Sequence, residues 1–515
     1  MPSIAELEAA GALIGEIRVF TDDIFDTNDP KENNFLYRAA NAIHIRTQPA
    51  LIRRVLLFKP GDRVSLRVID ETERLIRQTT TVYEVSIRPT RYEDGVVDLE
   101  VRTRDTWTLQ PGLRFRREGG VNSGAINFKE SNLLGTATTL GIERNTDVDR
   151  TGTLVQLSND HLFDGWTHVG FERGLFDDGT SGSYSITHPF YALDTRWAGG
   201  ASLTTFDRQD KLFEAGNVVG QYRHFQHAGN AFVGHSNGLN NGWTHRQSVG
   251  VNYQSDEYQI DPGNPPPSPP PADRTLAGPY LSYEAVQDDF LQVMNRDLIE
   301  RPEYLQMGLH AGVQVGRSLA AFGATEQPWQ FGAQLSKGLR PTRDQQLLAS
   351  LNYSGQYGTT TGDVRTLGTS LRFFVPQHGR FLLYLSGALD TVRSPTTADD
   401  LLLGGDTGMR GFPIRYQRGT RRALFTAEER YYTDYYPFRL FRVGYAAYVD
   451  VGRAWESQIP NTSPGWLADV GIGLRVLSAR ASFGNVLHLD LAFPVAGADP
   501  TVKRWQLVAK TGKTF

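Results

Sequence analysis

The residues with the clearest capacity for chemistry lie in one stretch, residues 401–455. A glycine-rich segment there carries an Arg-Gly-Phe tripeptide, and each of the two strand-like runs that follow holds one acid among apolar neighbours. The residues concerned are Arg410, Gly411, Phe412, Glu428 and Asp450. The chemistry open to them is ion pairing, because a guanidinium offers a rigid fork of donors that two carboxylates can share. The pattern suggests a loop that folds back into a barrel and is held there by charge.

The glycines around this tripeptide support the same interpretation. Gly404, Gly405 and Gly411 lack a Cβ atom, so the backbone can fold back tightly at these positions. The ring of Phe412 can then pack against a wall. We therefore expect a compact loop tip.

No sequence pattern for catalysis accompanies these residues. The chain has no HExxH motif, no GxSxG elbow and no Walker loop. Its 11 histidines are scattered, and His161, His188, His235 and His245 have no acids at ligand spacing. Cysteine is absent, which excludes disulfides and cysteine-based metal sites. We expect no enzyme activity, no metal and no other cofactor.

Composition argues against a nucleic-acid partner and for β-structure. The 515 residues carry a net charge of -4 and no basic block. The 52 glycines, together with 27 Phe, 21 Tyr and 8 Trp, are typical of a β-rich chain with many turns. No apolar run predicts a transmembrane helix, but a barrel strand needs only about 9–11 residues with every second one apolar.

The N-terminal part of the chain has the pattern of a small α+β domain. The expected order is strand, helix, helix, strand, strand, over residues 14–20, 48–57, 65–78, 83–89 and 96–104. A Glu-Asp-Gly sequence between the last two strands is a hairpin signal. We therefore divide the chain into an N-terminal extension (1–13), a domain (14–104) and a β-rich region (105–515).

Helical periodicity disappears after residue 105, and short alternating runs take over. From Val443 to Gly452, for example, large apolar residues point one way while small, polar or acidic ones point the other. A soluble sandwich buries its apolar face and a membrane barrel exposes it to lipid, so alternation alone does not choose between them. Size favours the barrel, because about 410 residues exceed one sandwich of about 100. Sixteen strands would use about 25 residues for each strand and turn.

Several segments together resemble the BamA/TamA family of outer-membrane assembly factors. The N-terminal domain resembles one POTRA domain, the periplasmic module of that family, with Gly61 where that module carries a glycine between its helices. The other similar segments are Phe128–Gly135, Met409–Phe412, Thr426–Arg430, Tyr448–Gly452 and the terminal aromatic Phe515. Each motif is short, but together they occur in the family's order and cover nearly the whole chain.

The resemblance implies a small α+β POTRA-like domain followed by a 16-stranded antiparallel transmembrane β-barrel. It also implies that Arg410 binds both Glu428 and Asp450 inside the lumen. Strict alternation turns Glu429 toward lipid, so we expect this residue near a membrane interface or beside a bulge.

The first and last barrel strands would pair poorly and form a seam. We expect these strands near residues 106–113 and 506–515. The residues assigned to the seam and the terminal signal are Thr106, Trp107, Leu507 and Phe515.

The implied function is assistance to client polypeptides that insert into or cross the outer membrane, through the seam and the POTRA-like domain. The domain would lie in the periplasm, and the expected partners are outer-membrane lipids, unfolded clients and periplasmic accessory proteins. Residues 1–12 lack the pattern of a secretory signal, so this location requires a signal removed before Met1. The alternatives are a dedicated exporter or pore, a structural or lipid-handling outer-membrane protein without insertase activity, and a soluble β enzyme.

Overall fold

The computed structural model describes residues 1–214, 217–266, 270, 272–360, 362–394, 399–457, 461, 463–481 and 486–512. Two units follow one another along the chain, a mixed α+β domain up to residue 105 and a closed β-barrel from residue 109. No helix in the described part of the chain is long and apolar enough to cross a membrane.

The N-terminal domain combines four helices with a three-stranded sheet. The elements are α1 (Ile4–Ala9), β1 (Leu13–Asp22), α2 (Phe35–Ile43), α3 (Pro49–Arg54), α4 (Leu66–Gln78), β2 (Val82–Glu93) and β3 (Val96–Asp105). The sheet order is β1–β3–β2, with β1 parallel and β2 antiparallel to β3. Leu7 of α1 is fully buried in the domain core, so the segment assigned to an N-terminal extension is part of that core.

Twenty-four further strands follow in the part of the chain that the structure describes. They are β4 (Leu109–Glu118), β5 (Val121–Leu133), β6 (Thr138–Thr146), β7 (Thr151–Leu162), β8 (Thr167–Phe176), β9 (Gly179–His188), β10 (Trp197–Glu214), β11 (Asn217–Asn240), β12 (Trp243–Ile260), β13 (Arg274–Gln287), β14 (Phe290–Met294), β15 (Pro302–Gln306), β16 (His310–Arg317), β17 (Trp329–Leu339), β18 (Gln346–Tyr357), β19 (Arg365–Pro376), β20 (Phe381–Arg393), β21 (Leu401–Leu403), β22 (Gln417–Gly419), β23 (Arg421–Tyr432), β24 (Phe441–Trp455), β25 (Leu467–Ser478), β26 (Val486–Ala496) and β27 (Gln506–Gly512). Strands β14 and β15 form one separate ribbon, and β21 and β22 form another. The other strands close into one antiparallel barrel.

The expected number of strands, 16, is wrong, because the closed barrel has 20. The estimate assumed about 25 residues for each strand and turn, but many connections are very short. Two residues join β8 to β9 and β11 to β12, and four join β5 to β6 and β7 to β8. Short turns leave more of the chain for strands, and the alternation that reveals a strand does not encode the length of the turn that follows it.

The barrel carries its apolar side chains outside and its charged side chains inside. Ile126, Leu281 and Ile472 are exposed on the outer face, whereas Arg475 and Asp490 on the inner face are fully buried. A soluble β-sandwich has the opposite polarity, because its apolar faces are packed against each other. A closed barrel with an apolar exterior fits the bacterial outer membrane.

The N-terminal domain packs against one end of the barrel, which we call the domain end; the opposite end is the far end. The side-chain amide of Asn132 donates to the Ile45 carbonyl at 3.0 Å, and the Glu71 carboxylate accepts from the Leu193 N–H at 2.9 Å. Burial at this contact raises the pKa of Glu71, although the guanidinium of Arg74 lies beside it. Buried polar contacts therefore fix the domain to the turns of the barrel.

We expect that replacing Ile472 with arginine destabilises the barrel by about 2–4 kcal/mol, because residue 472 lies in the middle of β25 on the lipid-facing surface. The matched change Val495→Arg, at the far end of β26, should cost only about 0–1 kcal/mol, because a long cation there reaches water. Denaturant unfolding in lipid vesicles, followed by the gel mobility of unheated samples, measures both. Equal costs at the two depths would contradict a lipid-facing outer surface.

Candidate functional site

Arg410 lies inside the barrel lumen, in the loop between β20 and β23. Its Nε and Nη2 atoms donate to the two carboxylate oxygens of Asp450 at 2.7 and 2.9 Å, and its Nη1 atom donates to Glu428 at 3.0 Å. The guanidinium carbon lies 3.1 Å from the ring centroid of Tyr448. The hydroxyl of Thr426 donates to Asp450 at 2.7 Å. The structure thus brings together the three charged residues singled out from the sequence, and we call Arg410, Glu428 and Asp450 the arginine lock.

The pleat of two neighbouring strands sets the spacing of the two acids. Glu428 lies on β23 directly opposite Tyr448 of β24, and Thr426 lies opposite Asp450. The two acids are therefore diagonal neighbours on the inner face, about 7–8 Å apart between Cα atoms. One guanidinium can bridge that span, which explains why a single arginine meets both carboxylates.

The loop glycines are required for close approach of the backbone. A Cβ atom on Gly411 would lie 2.7 Å from the Cβ of Asp469, and the Gly411 N–H donates to the Asp469 carboxylate at 3.0 Å. A Cβ on Gly405 would lie 2.5 Å from the Phe412 carbonyl oxygen, and Gly404 is equally crowded. A larger residue at position 411 would push the loop away from the wall, and one at position 404 or 405 would disrupt the packing of the loop against its own backbone.

Phe412 provides the apolar part of the contact between the loop and the wall. Its side chain is fully buried, and its ring centroid lies 5.4 Å from that of Tyr416. The other buried members of this cluster are Leu403, Met409, Ala454 and Leu467. The loop is therefore held by packing beside the charges, which keeps water away from the arginine lock.

The arginine lock belongs to a larger buried charge network that the sequence analysis did not assemble. Glu428 also accepts from Arg430 Nε at 2.9 Å and from Arg475 Nη2 at 3.5 Å, and Arg475 donates to Asp490 at 2.5 Å. Asp490 lies 3.9 Å from Arg410. These residues lie on the polar faces of strands whose sequences alternate between apolar and polar residues. That alternation is the sequence signal that places them in the lumen. Local alternation does not reveal which side chains meet across the barrel wall.

A second element enters the lumen from the domain end. The ribbon β14–β15 folds inward, and the segment between its strands buries Ile299 against inner-face residues of the barrel. Those residues are Phe374, Leu382, Tyr432, Ala446, Leu477 and Val486. The Arg296 carbonyl of this segment accepts from Arg430 Nη1 at 2.6 Å. We call residues 288–309 the inner hairpin; the sequence analysis did not anticipate it.

A cavity of about 680 Å³ remains along the wall formed by β12 to β20. Small uncharged polar side chains dominate its lining, and they include Ser248, Ser282, Gln314, Gln334, Asn352, Ser354 and Thr366. Two ion pairs border it, Arg246 with Glu284 at 2.8 Å and Arg422 with Asp390 at 2.7 Å. Within the part of the chain that the structure describes, no group of three or more His, Asp or Glu side chains is arranged to hold a metal ion.

The barrel closes weakly between β4 and β27. One residue pair, Ala509 with Arg117, joins these strands in the described residues, whereas β26 and β27 share seven pairs and β4 and β5 share ten. An ion pair between Lys510 and Glu118 at 3.2 Å adds a side-chain contact. Leu507 of β27 is exposed on the outer face. The closure is therefore a seam with little main-chain pairing.

Thr106 and Trp107 precede β4 and lie outside the seam strands, contrary to the sequence-based assignment. The Thr106 N–H donates to the Thr81 carbonyl at 2.9 Å, so this residue belongs to the edge of the N-terminal domain. The Trp107 N–H donates to the Arg480 carbonyl at 2.6 Å, in the turn between β25 and β26. These contacts connect the domain to the barrel. Phe515 lies outside the described residues.

Glu429 points outward, as strict alternation requires, and it lies close to the domain end of the barrel. The pairing of β23 with its two neighbours runs without a register shift, so no bulge turns the side chain inward. The amide of Gln377, in the turn between β19 and β20, donates to Glu429 at 3.3 Å. The sequence allowed two positions for Glu429, near a membrane interface or beside a bulge. The structure shows the first.

We expect that Arg410→Ala lowers the free energy of unfolding by about 3–5 kcal/mol, because it removes the arginine that pairs with the buried Asp450 and one of the three that pair with Glu428. Arg410→Lys should restore only part of this, since an ammonium cannot reproduce the bidentate contact. The matched control is Arg421→Ala, whose exposed ion pair with Glu456 should contribute at most about 1 kcal/mol. Denaturant unfolding in detergent micelles measures all three. Equal losses for Arg410→Ala and Arg421→Ala would show that the arginine lock does not hold the loop.

The fold was compared with solved structures. CdiB from Escherichia coli superimposes with a TM-score of 0.50 over 98% of this chain and 77% of that chain, at 13% sequence identity. CdiB from Acinetobacter baumannii gives a TM-score of 0.45 over 98% and 74%, also at 13% identity. BamA from Haemophilus ducreyi lacking POTRA domains 1–3 gives 0.41 over 97% and 85%, at 13% identity.

Comparison by structure finds similar proteins, whereas comparison by sequence finds none. No protein-family model matches the chain, and no curated protein sequence matches it. The structural likeness to CdiB from Escherichia coli covers both the N-terminal domain and the barrel. The chain therefore has the overall fold of CdiB from Escherichia coli.

Proposed function

We propose that the protein is an outer-membrane assembly factor that helps client polypeptides insert into the membrane through the β4–β27 seam. The observation that carries this proposal is that, among the described residues, one residue pair closes an otherwise continuous ladder. Backbone N–H and C=O groups without partners are costly in lipid, so a poorly paired edge favours the addition of an incoming strand. The proposed action is templating, with no covalent step.

The N-terminal domain is proposed to lie in the periplasm and to hold clients before they reach the seam. The outer edges of β1 and β2 have no strand neighbour in the described domain. Pro89 and the register shift beside it interrupt β2. The ladder of β1 is continuous from Ile17 to Asp22, so β1 is the better edge for pairing with an extended client.

A disulfide across the seam tests the proposal directly, because the chain has no native cysteine. We expect that Arg117→Cys combined with Ala509→Cys abolishes client insertion into vesicles when oxidised and restores it when reduced. The matched control, Arg117→Cys with Asn122→Cys, joins β4 to its regular neighbour β5 and should leave insertion intact.

Undiminished insertion through a crosslinked seam would overturn the seam mechanism. A protein that folds with an intact seam but inserts no client in any state would instead support the structural or lipid-handling alternative. Gel mobility of unheated samples confirms in each case that the barrel is folded.

A dedicated exporter is the second candidate, and the polar cavity along β12 to β20 favours it. Small hydroxyl and amide side chains line that wall, which suits the passage of a hydrated polar chain. In this scheme the inner hairpin and the loop of the arginine lock close the lumen from opposite ends. The conducted substrate would pass between them and would not use the seam.

Single-channel recording separates the two candidates. We expect a small, flickering conductance from the intact protein and a larger one from Ile299→Asp, because an unpaired carboxylate in the apolar cluster should expel the inner hairpin. The matched control Met294→Asp alters an exposed residue of the same hairpin and should leave the conductance unchanged. A large, steady conductance from the intact protein would favour the exporter.

A further inference from the structure

The segment between β1 and α3, residues 23–47, passes beneath the seam. It contacts barrel turns on both sides of β27 and β4. On one side, the Tyr37 hydroxyl donates to the Phe438 carbonyl in the turn between β23 and β24. Arg480, between β25 and β26, pairs with Glu32 at 2.6 Å. On the other side, Asn132, at the end of β5, donates to the Ile45 carbonyl. The neighbouring barrel strands follow the order β23–β24–β25–β26–β27–β4–β5. The segment therefore spans the seam at the domain end.

Helix α2 of this segment buries one face and exposes an apolar one. Tyr37 is buried, and its ring stacks on Phe25 at 4.3 Å. Phe35, Leu36 and Ile43 are 75%, 70% and 64% exposed. The exposed residues Ala39 and Ala42 complete the same face, at helical spacing from the three larger side chains. A soluble domain rarely leaves several large apolar side chains together in water.

The barrel surface beside this helix is aromatic. The turn that accepts the Tyr37 hydrogen bond carries Tyr435 and Phe438, which are 65% and 73% exposed. Phe381 and Tyr431 lie on the outer face near the same end, with ring centroids 4.8 Å apart. Exposed aromatic rings near the end of a membrane barrel are typical of the lipid–water interface. The barrel rim next to the turn that holds α2 therefore carries exposed aromatic side chains.

We propose that α2 lies in the membrane interface at the domain end, with the acyl chains and headgroups of the adjacent leaflet as its partner. Continuity with the aromatic rim identifies lipid as the occupant, because the barrel holds α2 at the level of that rim. A helix of nine residues binds lipid weakly by itself, but tethering to the barrel raises its effective concentration at the surface. The helix thus anchors the N-terminal domain to the membrane next to the seam.

Single-cysteine labelling of the full chain tests this assignment, since the chain has no cysteine of its own. Leu36→Cys and Ile43→Cys are labelled with an environment-sensitive dye in phosphatidylethanolamine–phosphatidylglycerol vesicles containing nitroxide-labelled phosphatidylcholine. The matched control is Phe20→Cys, an exposed apolar residue on β1 of the same domain. We expect blue-shifted emission and several-fold stronger lipid quenching at positions 36 and 43 than at position 20.

Water-like emission at positions 36 and 43 would overturn the assignment. Shielding that appears only with several copies per vesicle would identify a second copy of the chain as the occupant, and shielding that requires added polypeptide would identify a client; both results contradict lipid. The readout does not depend on client insertion, so it stands or falls separately from the proposed function. As a second measurement, the combined change Phe35→Ser, Leu36→Ser and Ile43→Ser should abolish quenching of a label at Arg38→Cys while unheated samples keep the gel mobility of a folded barrel.

Discussion

The position of the far-end loop depends on one buried guanidinium group. Arg410 can occupy the lumen only where carboxylates are placed to receive it, because an unpaired charge away from water is costly. Glu428 and Asp450 meet that requirement from adjacent strands, and the register of β23 against β24 sets the distance between them. A slip of one residue between these strands would turn one of the two acids toward lipid. The register of β23 against β24 therefore also determines the position of the loop.

A membrane barrel must also pair nearly all of its backbone groups internally. The ladder meets this requirement around the wall except between β4 and β27, where Ala509 and Arg117 form the single described pair. Side-chain contacts stabilise that region in place of main-chain pairing. Arg480 pairs with Glu32 of the N-terminal domain, and Lys510 pairs with Glu118. The Arg480–Glu32 pair lies at the turn between β25 and β26, so the domain contacts the barrel wall next to the point where the ladder is weakest.

Local patterns predicted the parts of this structure that depend on local chemistry. Alternation indicated a β-rich region after residue 105, and apolar spacing identified α3 and α4 close to their observed bounds. Helix α2 was missed although its apolar residues recur at helical spacing, because its nine residues are fewer than the window of about 11 over which that spacing is read. The strand number and the contact of Arg475 with Asp490 depend on turn lengths and on which strands are neighbours. The residue types suggested that charge holds the loop, and the resemblance to a known family added that Arg410 binds both Glu428 and Asp450.

Glu428 connects the closures at the two ends of the lumen. One of its oxygens accepts from Arg410 of the far-end loop, and the other accepts from Arg430, which also donates to the Arg296 carbonyl of the inner hairpin. The hairpin in turn contacts the N-terminal domain, where an arginine of α4 lies 3.7 Å from the ring centroid of Phe290. Charges that share a partner in a buried site are not independent, because a change in one contact alters the strength of the others. Withdrawal of the hairpin by the domain would remove one acceptor from Arg430 and so change its pairing with Glu428. The loop and the hairpin are therefore linked by a chain of contacts that meets at a single carboxylate.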